Sequence, residues 1–251
     1  MNHHILDVTP ANVSKTGIMC LKSGPGAKKK IEWFNKRYEE GLRFKIVTNV
    51  MGDHMGFIEY IPAEYAWRPV DADNYLFIHC IAMFSKKGRN QNAGSALIQA
   101  CEEDAKAQHK HGVCTMTSKG AWMANESVFS KNGYSPVDTL DRFELVVKKW
   151  NDSAPDPKLI DWKKQQAQYQ GWHLLYAHQC PWHEKSIHAL YDTARAHGID
   201  LQVTELTSSA EVKQGPSGFG TFSLICDGRL IEDHYLSKKR FENILKKELN
   251  L

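Results

Sequence analysis

Arg89-Asn90-Gln91-Asn92-Ala93-Gly94-Ser95-Ala96-Leu97-Ile98 lies between an apolar run, Tyr75 to Phe84, and a helical pattern that continues to about Gln108. A buried strand, a turn rich in small or left-handed-tolerant residues and then a helix start make a ready anion site. Backbone N–H groups and the positive end of the helix point at whatever occupies the turn. Gly and Asn also punctuate many strand-to-helix turns for steric reasons alone, so the surrounding sequence must supply the meaning.

The chain has 251 residues, 42% hydrophobic and 24% charged, which is ordinary globular composition with room for two domains. A net charge of +3, with no basic stripe interleaved with aromatics, gives no reason to expect nucleic acid. Lys28-Lys29-Lys30 runs into an amphipathic segment and reads as a solvated helix face. No apolar run approaches the ~20 residues of a membrane span, so no membrane partner is expected. Met1 to Asp7 lacks the basic and apolar regions of a signal peptide. The six cysteines are scattered and lie mostly in apolar runs, which fits reduced thiols and a cytoplasmic protein.

Periodicity outlines the elements around the turn. Ile5 to Pro10 is a short strand. Ile31, Phe34 and Tyr38 recur at helical spacing between Gly26 and Gly41. Phe44–Val50 and Met55–Ile61 flank the hairpin turn Met51 to His54. Pro62 to Asn74 is irregular. After the central turn and helix come a strand at Gly112–Thr117, a short helix from Asn125 to Asn132 and a strand at Arg142–Val147. Pattern alone gives an α+β fold around a mainly antiparallel sheet. Lys148 to Pro157, with two prolines among small polar residues, is the clearest break in the chain.

With these residues in hand, the first part resembles the GNAT acetyltransferases, whose acetyl-CoA signature runs Arg/Gln-x-x-Gly-x-Gly/Ala. Two registers fit: Arg89-x-x-Asn92-x-Gly94 and Gln91-x-x-Gly94-x-Ala96. The first keeps Leu97 and Ile98 in helical phase and puts Asn92 where the family has Gly, a substitution that a positive φ tolerates. Phe129-Ser-Lys-Asn-Gly133-Tyr134 resembles the family's Tyr-x-x-x-Gly-Phe, but Phe129 replaces the Tyr that often protonates the departing thiolate. Gly56 to Pro62, Trp67-Arg68, Ile78-His79-Cys80 and Gln179-Cys180-Pro181 carry a closer resemblance, to the YoaP-like proteins, which join a GNAT domain to a small C-terminal domain.

That resemblance implies acetyl-CoA as co-substrate, and no metal is expected. Met83 and Phe84 would end the strand that pairs with pantetheine. Arg89, Asn90, Gln91, Asn92, Ala93, Gly94 and Ser95 would hold the pyrophosphate, and Asn125 would support the CoA arm. Amine attack on a thioester needs a base to take a proton. Glu59 lies in an otherwise apolar strand and is the first choice; His79, also mid-strand, is second. For either residue the alternative is a hydrogen-bonded structural group. The expected acceptor is an amine on a small molecule, in a cleft walled partly by residues 62–74. The sequence leaves the oligomeric state open.

Beyond the break, Trp172–Ala177 is a strand, His178 to His183 opens a helix, Leu201–Leu206 is a strand, and Asp227-Gly228 turns a clear hairpin before a closing helix from Ser237. The order resembles the thioredoxin fold, with Cys180-Pro181-Trp182-His183 in place of Cys-x-x-Cys. His183 removes the resolving thiol, so no dithiol cycle closes within the motif. Cys180 at a helix N-terminus is a candidate reactive thiol. His178, Cys180 and His183 offer Zn²⁺ only three ligands. The organisation expected is a GNAT domain at 1–150, a linker at 151–157 and a thioredoxin-like domain at 158–251. Two rival readings are a binding module that holds acyl-CoA or another ligand without turnover, and a monothiol redox protein acting through Cys180.

Overall fold

Asn49 shapes the first hairpin: its Oδ1 accepts hydrogen bonds from the N–H groups of Met51 and Asp53, both at 2.9 Å. The computed structural model describes residues 3–18, 20–21, 23–84 and 92–249. Its elements run β1 (His4–Val8), α1 (Val13–Thr16), α2 (Pro25–Tyr38), β2 (Arg43–Thr48), β3 (His54–Pro62), a 3₁₀ turn (Ala63–Tyr65), β4 (Val70–Asp71) and β5 (Tyr75–Met83). Next come α3 (Ala93–Ala107), β6 (Gly112–Thr117), α4 (Glu126–Ser130), β7 (Ser135–Leu140), β8 (Phe143–Lys149) and β9 (Lys158–Leu159). Contacts divide the described chain into two compact units. The first holds residues 1–19, 34–66 and 70–160; the second holds 20–33, 67–69 and 161–251.

The first unit is α+β. Its seven-stranded sheet has the order β1-β2-β3-β5-β6-β8-β7. Every neighbouring pair is antiparallel except β5 with β6. Helix α3 covers one face: Leu97, Ile98, Cys101 and Ala105 are fully buried against Ile58, Tyr60, Leu76, Ile78 and Val113. Burying Leu97 and Ile98 contributes about 1.5–3 kcal/mol each. Tyr60 also donates to Asp104, which pairs with Lys45 at 3.2 Å and so ties the helix to the sheet.

The sequence reading missed β7 because Pro136 interrupts it. Proline is admissible there because β7 is the edge strand, where a missing N–H costs no ladder bond on the open side. Of residues 62–74, expected to wall a cleft, Ala63, Ala66, Val70 and Ala72 are buried, as are Trp67 and Arg68, which belong to the second unit. The expected break is tied down as well. The Tyr75 hydroxyl donates to the Pro155 carbonyl at 2.8 Å, Lys149 reaches Asp156 at 2.7 Å, and β9 pairs with β4.

The second unit adds β10 (Trp172–Tyr176), α5 (Trp182–Ala196), β11 (Leu201–Glu205), α6 (Ser209–Lys213), β12 (Phe222–Cys226), β13 (Arg229–Glu232) and α7 (Lys238–Glu248). A 3₁₀ stretch, Trp162–Gln168, precedes them. The sheet order is β11-β10-β12-β13, with β10 parallel to β11 and the other pairs antiparallel. Asp227 (φ 47) and Gly228 (φ 73) make the two-residue turn between β12 and β13, as the Asp-Gly pair requires. The N-terminal half of α2 belongs to this unit, and Gly26 shows why. A Cβ there would lie 2.1 Å from the carbonyl oxygen of Pro181, at the start of α5.

Candidate active site

The feature that defines the site is where β5 and β6 part. The two strands pair from Tyr75↔Gly112 to Ile78↔Thr115 and no further, although β5 continues to Met83 and β6 to Thr117. The Thr115 hydroxyl donates to the Ile78 carbonyl at 2.9 Å and closes the ladder at that point. Past it, β5 keeps its partner on the other side, ending at Gly56↔Met83, and its residues turn from buried to half-buried. A strand with one paired edge and one open edge offers backbone donors and acceptors to an extended ligand.

A bulge sits at the same place. Glu59 pairs with Cys80 and Tyr60 with Ile78, so His79 is the extra residue on β5. Bulges end pairing and re-aim side chains, and they gather beside active sites. Here the bulge turns His79 toward Glu59, with Nδ1 3.3 Å from Oε1. Both side chains are inaccessible, at 0% and 1% exposure. Ile58 and Tyr60 face α3, so alternation sends Glu59 to the opposite face, beside the stacked rings of Phe44 and Phe57. The structure thus brings the two expected proton-handling residues together as a buried pair.

Of the expected cofactor-binding residues, Arg89, Asn90 and Gln91 lie outside the described residues. Asn92 is the N-cap of α3 at φ 58, ψ 20, the left-handed conformation that its place in the first register demands. Its side chain does not cap the helix, and the first turn carries no acidic residue. The leading N–H groups of Ala93, Gly94 and Ser95 have no intrahelical acceptor, as at any helix start. Ala93 is buried. Among the described residues, a Cβ at Gly94 would meet nothing nearer than the Met83 sulfur at 3.9 Å. Phe84 is 43% exposed and its N–H donates to the Met55 carbonyl at 2.9 Å. Asn125 caps α4 by accepting from the Ser127 N–H at 2.9 Å.

Phe129 is 1% exposed and packs edge-on against Tyr134, with ring centroids 5.4 Å apart. It is a core residue, and burial pushes the hydroxyl of its neighbour Tyr134 well above the usual phenol range. Cys101 and Cys114 are likewise pushed up by burial. Sequence reasoning did not find a second feature of this unit, a seat for Arg142. Its Nη1 donates to the Ser118 Oγ at 2.9 Å, and its guanidinium lies 4.2 Å over the Phe143 ring. No motif advertises it.

In the second unit Cys180 is half-buried at the start of α5, and its carbonyl accepts from the His183 N–H at 3.2 Å. His183 is fully buried, with Nδ1 2.9 Å from the Ala177 carbonyl. Burial, followed by the charges of Arg68, His178 and Lys30, holds its imidazole down at about 3 and therefore neutral. Its ring faces Phe222 and Phe219, at 5.1 and 6.2 Å. The His178 imidazole is also lowered by burial, partly countered by Glu205 and Glu184.

Comparison with known proteins follows the same lines. A family profile described as YoaP-like matches residues 200–243. The chain is 28% identical over 250 residues to a Bacillus subtilis (strain 168) protein named "Uncharacterized N-acetyltransferase YoaP", covering 96% of this chain and 97% of that one. Among solved structures it is similar to YhbS of Escherichia coli, a GNAT family N-acetyltransferase in complex with CoA. That likeness has 12% identity, covers 62% of this chain and 89% of that one, and gives a TM-score of 0.43. It is also similar to the PaiA N-acetyltransferase of Thermoplasma acidophilum in complex with coenzyme A, at 16% identity, 60% and 100% coverage and a TM-score of 0.40. No helix among the described residues is long and apolar enough to cross a membrane. The likeness to the YoaP-like proteins first read from Gly56 to Pro62 and Gln179 to Pro181 is therefore matched along nearly the whole chain.

Proposed function

We propose that this protein is an acetyl-CoA-dependent N-acetyltransferase acting on the amine of a small molecule. The observation that carries the reading is the opening between β5 and β6, with the buried Glu59–His79 pair at its apex. The whole-length likeness to a protein named an N-acetyltransferase supports it. Residues fit for acetyl-CoA lie on both sides: the open edge of β5 up to Met83 and Phe84 for the pantetheine arm, and Asn92 to Ser95 at the start of α3 for the pyrophosphate.

Bound acetyl-CoA supplies an acetyl thioester, whose C–S bond breaks as the acceptor nitrogen bonds to the carbonyl carbon. Glu59 takes the proton that the nitrogen must lose, through an intervening water because the carboxylate is buried. His79 holds that carboxylate in place from 3.3 Å. The backbone N–H groups along the open edge of β5 stand ready as oxyanion donors. With Phe129 in the core, the thiolate takes its proton from solvent.

We propose that the second unit, with its β11-β10-β12-β13 sheet and α5 starting just after Cys180, is a thioredoxin-like domain. With His183 in place of a second thiol, it does not run a dithiol redox cycle within the Cys180–His183 motif. Release of CoA from acetyl-CoA over a panel of amines tests the enzyme reading. Amine-dependent release supports it; binding of acetyl-CoA without release for any amine favours a binding module.

A further inference from the structure

At the far end of β6 the first unit holds a cavity of about 560 Å³, lined by Thr117, Ser118, Gly120, Arg142 and Glu144 among others. That volume suits a metabolite-sized ligand. His79 directly follows Ile78, the last β5 residue paired with β6, and Thr115 is its partner. Thr117 is two residues beyond Thr115, which at about 3.3 Å per residue starts the cavity roughly 7 Å along β6 from the apex of the proposed site.

Inside the cavity one cation is held rigidly. Arg142 sits in the turn between β7 and β8 beside Asp141, whose φ is 53. Its guanidinium is fixed by the Ser118 hydroxyl and by the Phe143 ring. Ser118 is itself 7% exposed, and its oxygen also accepts from the Gly120 N–H at 3.0 Å. Gly120 is part of the seat, because a Cβ there would lie 2.4 Å from the Arg142 Nη1. A planar, pre-oriented guanidinium on a ligand cavity is the arrangement that recognises a carboxylate. The rest of the lining is acidic, with Glu126, Asp141 and Glu144 against one further cation, Lys119.

We propose, resting on the acetyltransferase reading above, that the acceptor is a zwitterion. It is an amine that also carries a carboxylate, as in a free amino acid, with the carboxylate on Arg142 and the ammonium drawn by the acidic rim. A diamine would meet the fixed guanidinium with a second positive charge. An amine with several acidic groups would meet three carboxylates. Only an acceptor of mixed charge is complemented by both parts of the lining.

The test compares a set of amino acids with their matched amines lacking the carboxylate, in the CoA-release assay on the full chain. The expected result is a kcat/KM at least tenfold higher for the amino acid, with the ratio falling toward one in Arg142→Gln. The loss should be about 10- to 100-fold and appear mainly in KM. Gly120→Ala, which displaces the guanidinium without deleting it, should lower the same ratio. Equal rates for both members of each pair in the wild type would overturn the proposal, as would an equal loss for both in Arg142→Gln. If no amine is acetylated, the enzyme reading fails separately. Calorimetric titration of the amino acids alone then decides: binding weakened by Arg142→Gln upholds the site, and no binding overturns it.

Discussion

Replacing Glu59 by Gln separates a catalytic role for the buried pair from a purely structural one. Gln keeps the volume and one acceptor oxygen of the carboxylate but cannot take a proton. Both side chains of the pair are about 99% or more shielded, so solvent does not substitute for the lost group. General-base catalysis is worth roughly 10²–10⁴ in rate, or about 3–5 kcal/mol of barrier. The stability change should be smaller. The variant weakens the charge-assisted contact with His79 at 3.3 Å but escapes the cost of keeping a carboxylate out of water, leaving a net of about 1 kcal/mol. For a chain of this size that moves the melting temperature by roughly 2–4 °C. Kinetics of CoA release and thermal unfolding of the same preparation read the two effects. A kcat within a few-fold of wild type, together with a drop of 10 °C or more, would refute the assignment and leave the pair as internal scaffolding.

Two further predictions concern the second unit. Gly26→Ala gains up to about 1 kcal/mol of helix propensity but forces a methyl to within 2.1 Å of the Pro181 carbonyl. Backbone cannot give way cheaply, so a clash of about 1–3 kcal/mol or more prevails, and denaturant unfolding should show net destabilisation; a more stable variant would refute the packing. Burial keeps the folded-state His183 at about 3, below the ordinary value of 6.5. The unfolded chain therefore binds a proton that the folded one refuses as pH falls below about 6.5. Stability is lost in that direction at about 1.4 kcal/mol per pH unit, or about 2 kcal/mol by pH 5. Unfolding titrations from pH 7.5 to 5 should show this slope, and His183→Phe should flatten it by that amount; an unchanged slope would contradict the burial argument.

Much of this architecture is visible in local chemistry. Asn92 and Asp227-Gly228 announce backbone conformations that few other residues accept, and the structure has them at φ 58, 47 and 73. The runs that become β2, β3 and β5 are apolar because nearly all of their residues are buried, one face of them beneath α3. Glu59 and His79 stand out as polar residues inside such runs, but their meeting depends on a bulge at β5, which is set by its pairing with β3 and not by either run alone. For the same reason nothing in Cys20–Trp33 or Trp67–Pro69 signals membership of the second unit, since Gly26 is legible only once Pro181 is opposite it. The Arg142 seat draws on β6, the turn after it and the β7–β8 hairpin, and no single stretch contains it.

The central claim is that the turn into α3 and the open edge of β5 receive acetyl-CoA. Calorimetric titration with acetyl-CoA and with CoA tests it on wild type, Gly94→Ala and Gly94→Trp. Among the described residues, a Cβ at Gly94 meets nothing nearer than 3.9 Å, so alanine is accommodated, while an indole adds bulk at the first turn of α3. Binding with a Kd on the order of micromolar is expected for wild type and Gly94→Ala, weakened at least 100-fold in Gly94→Trp. Absence of binding by wild type, or equal binding by all three proteins, would contradict it.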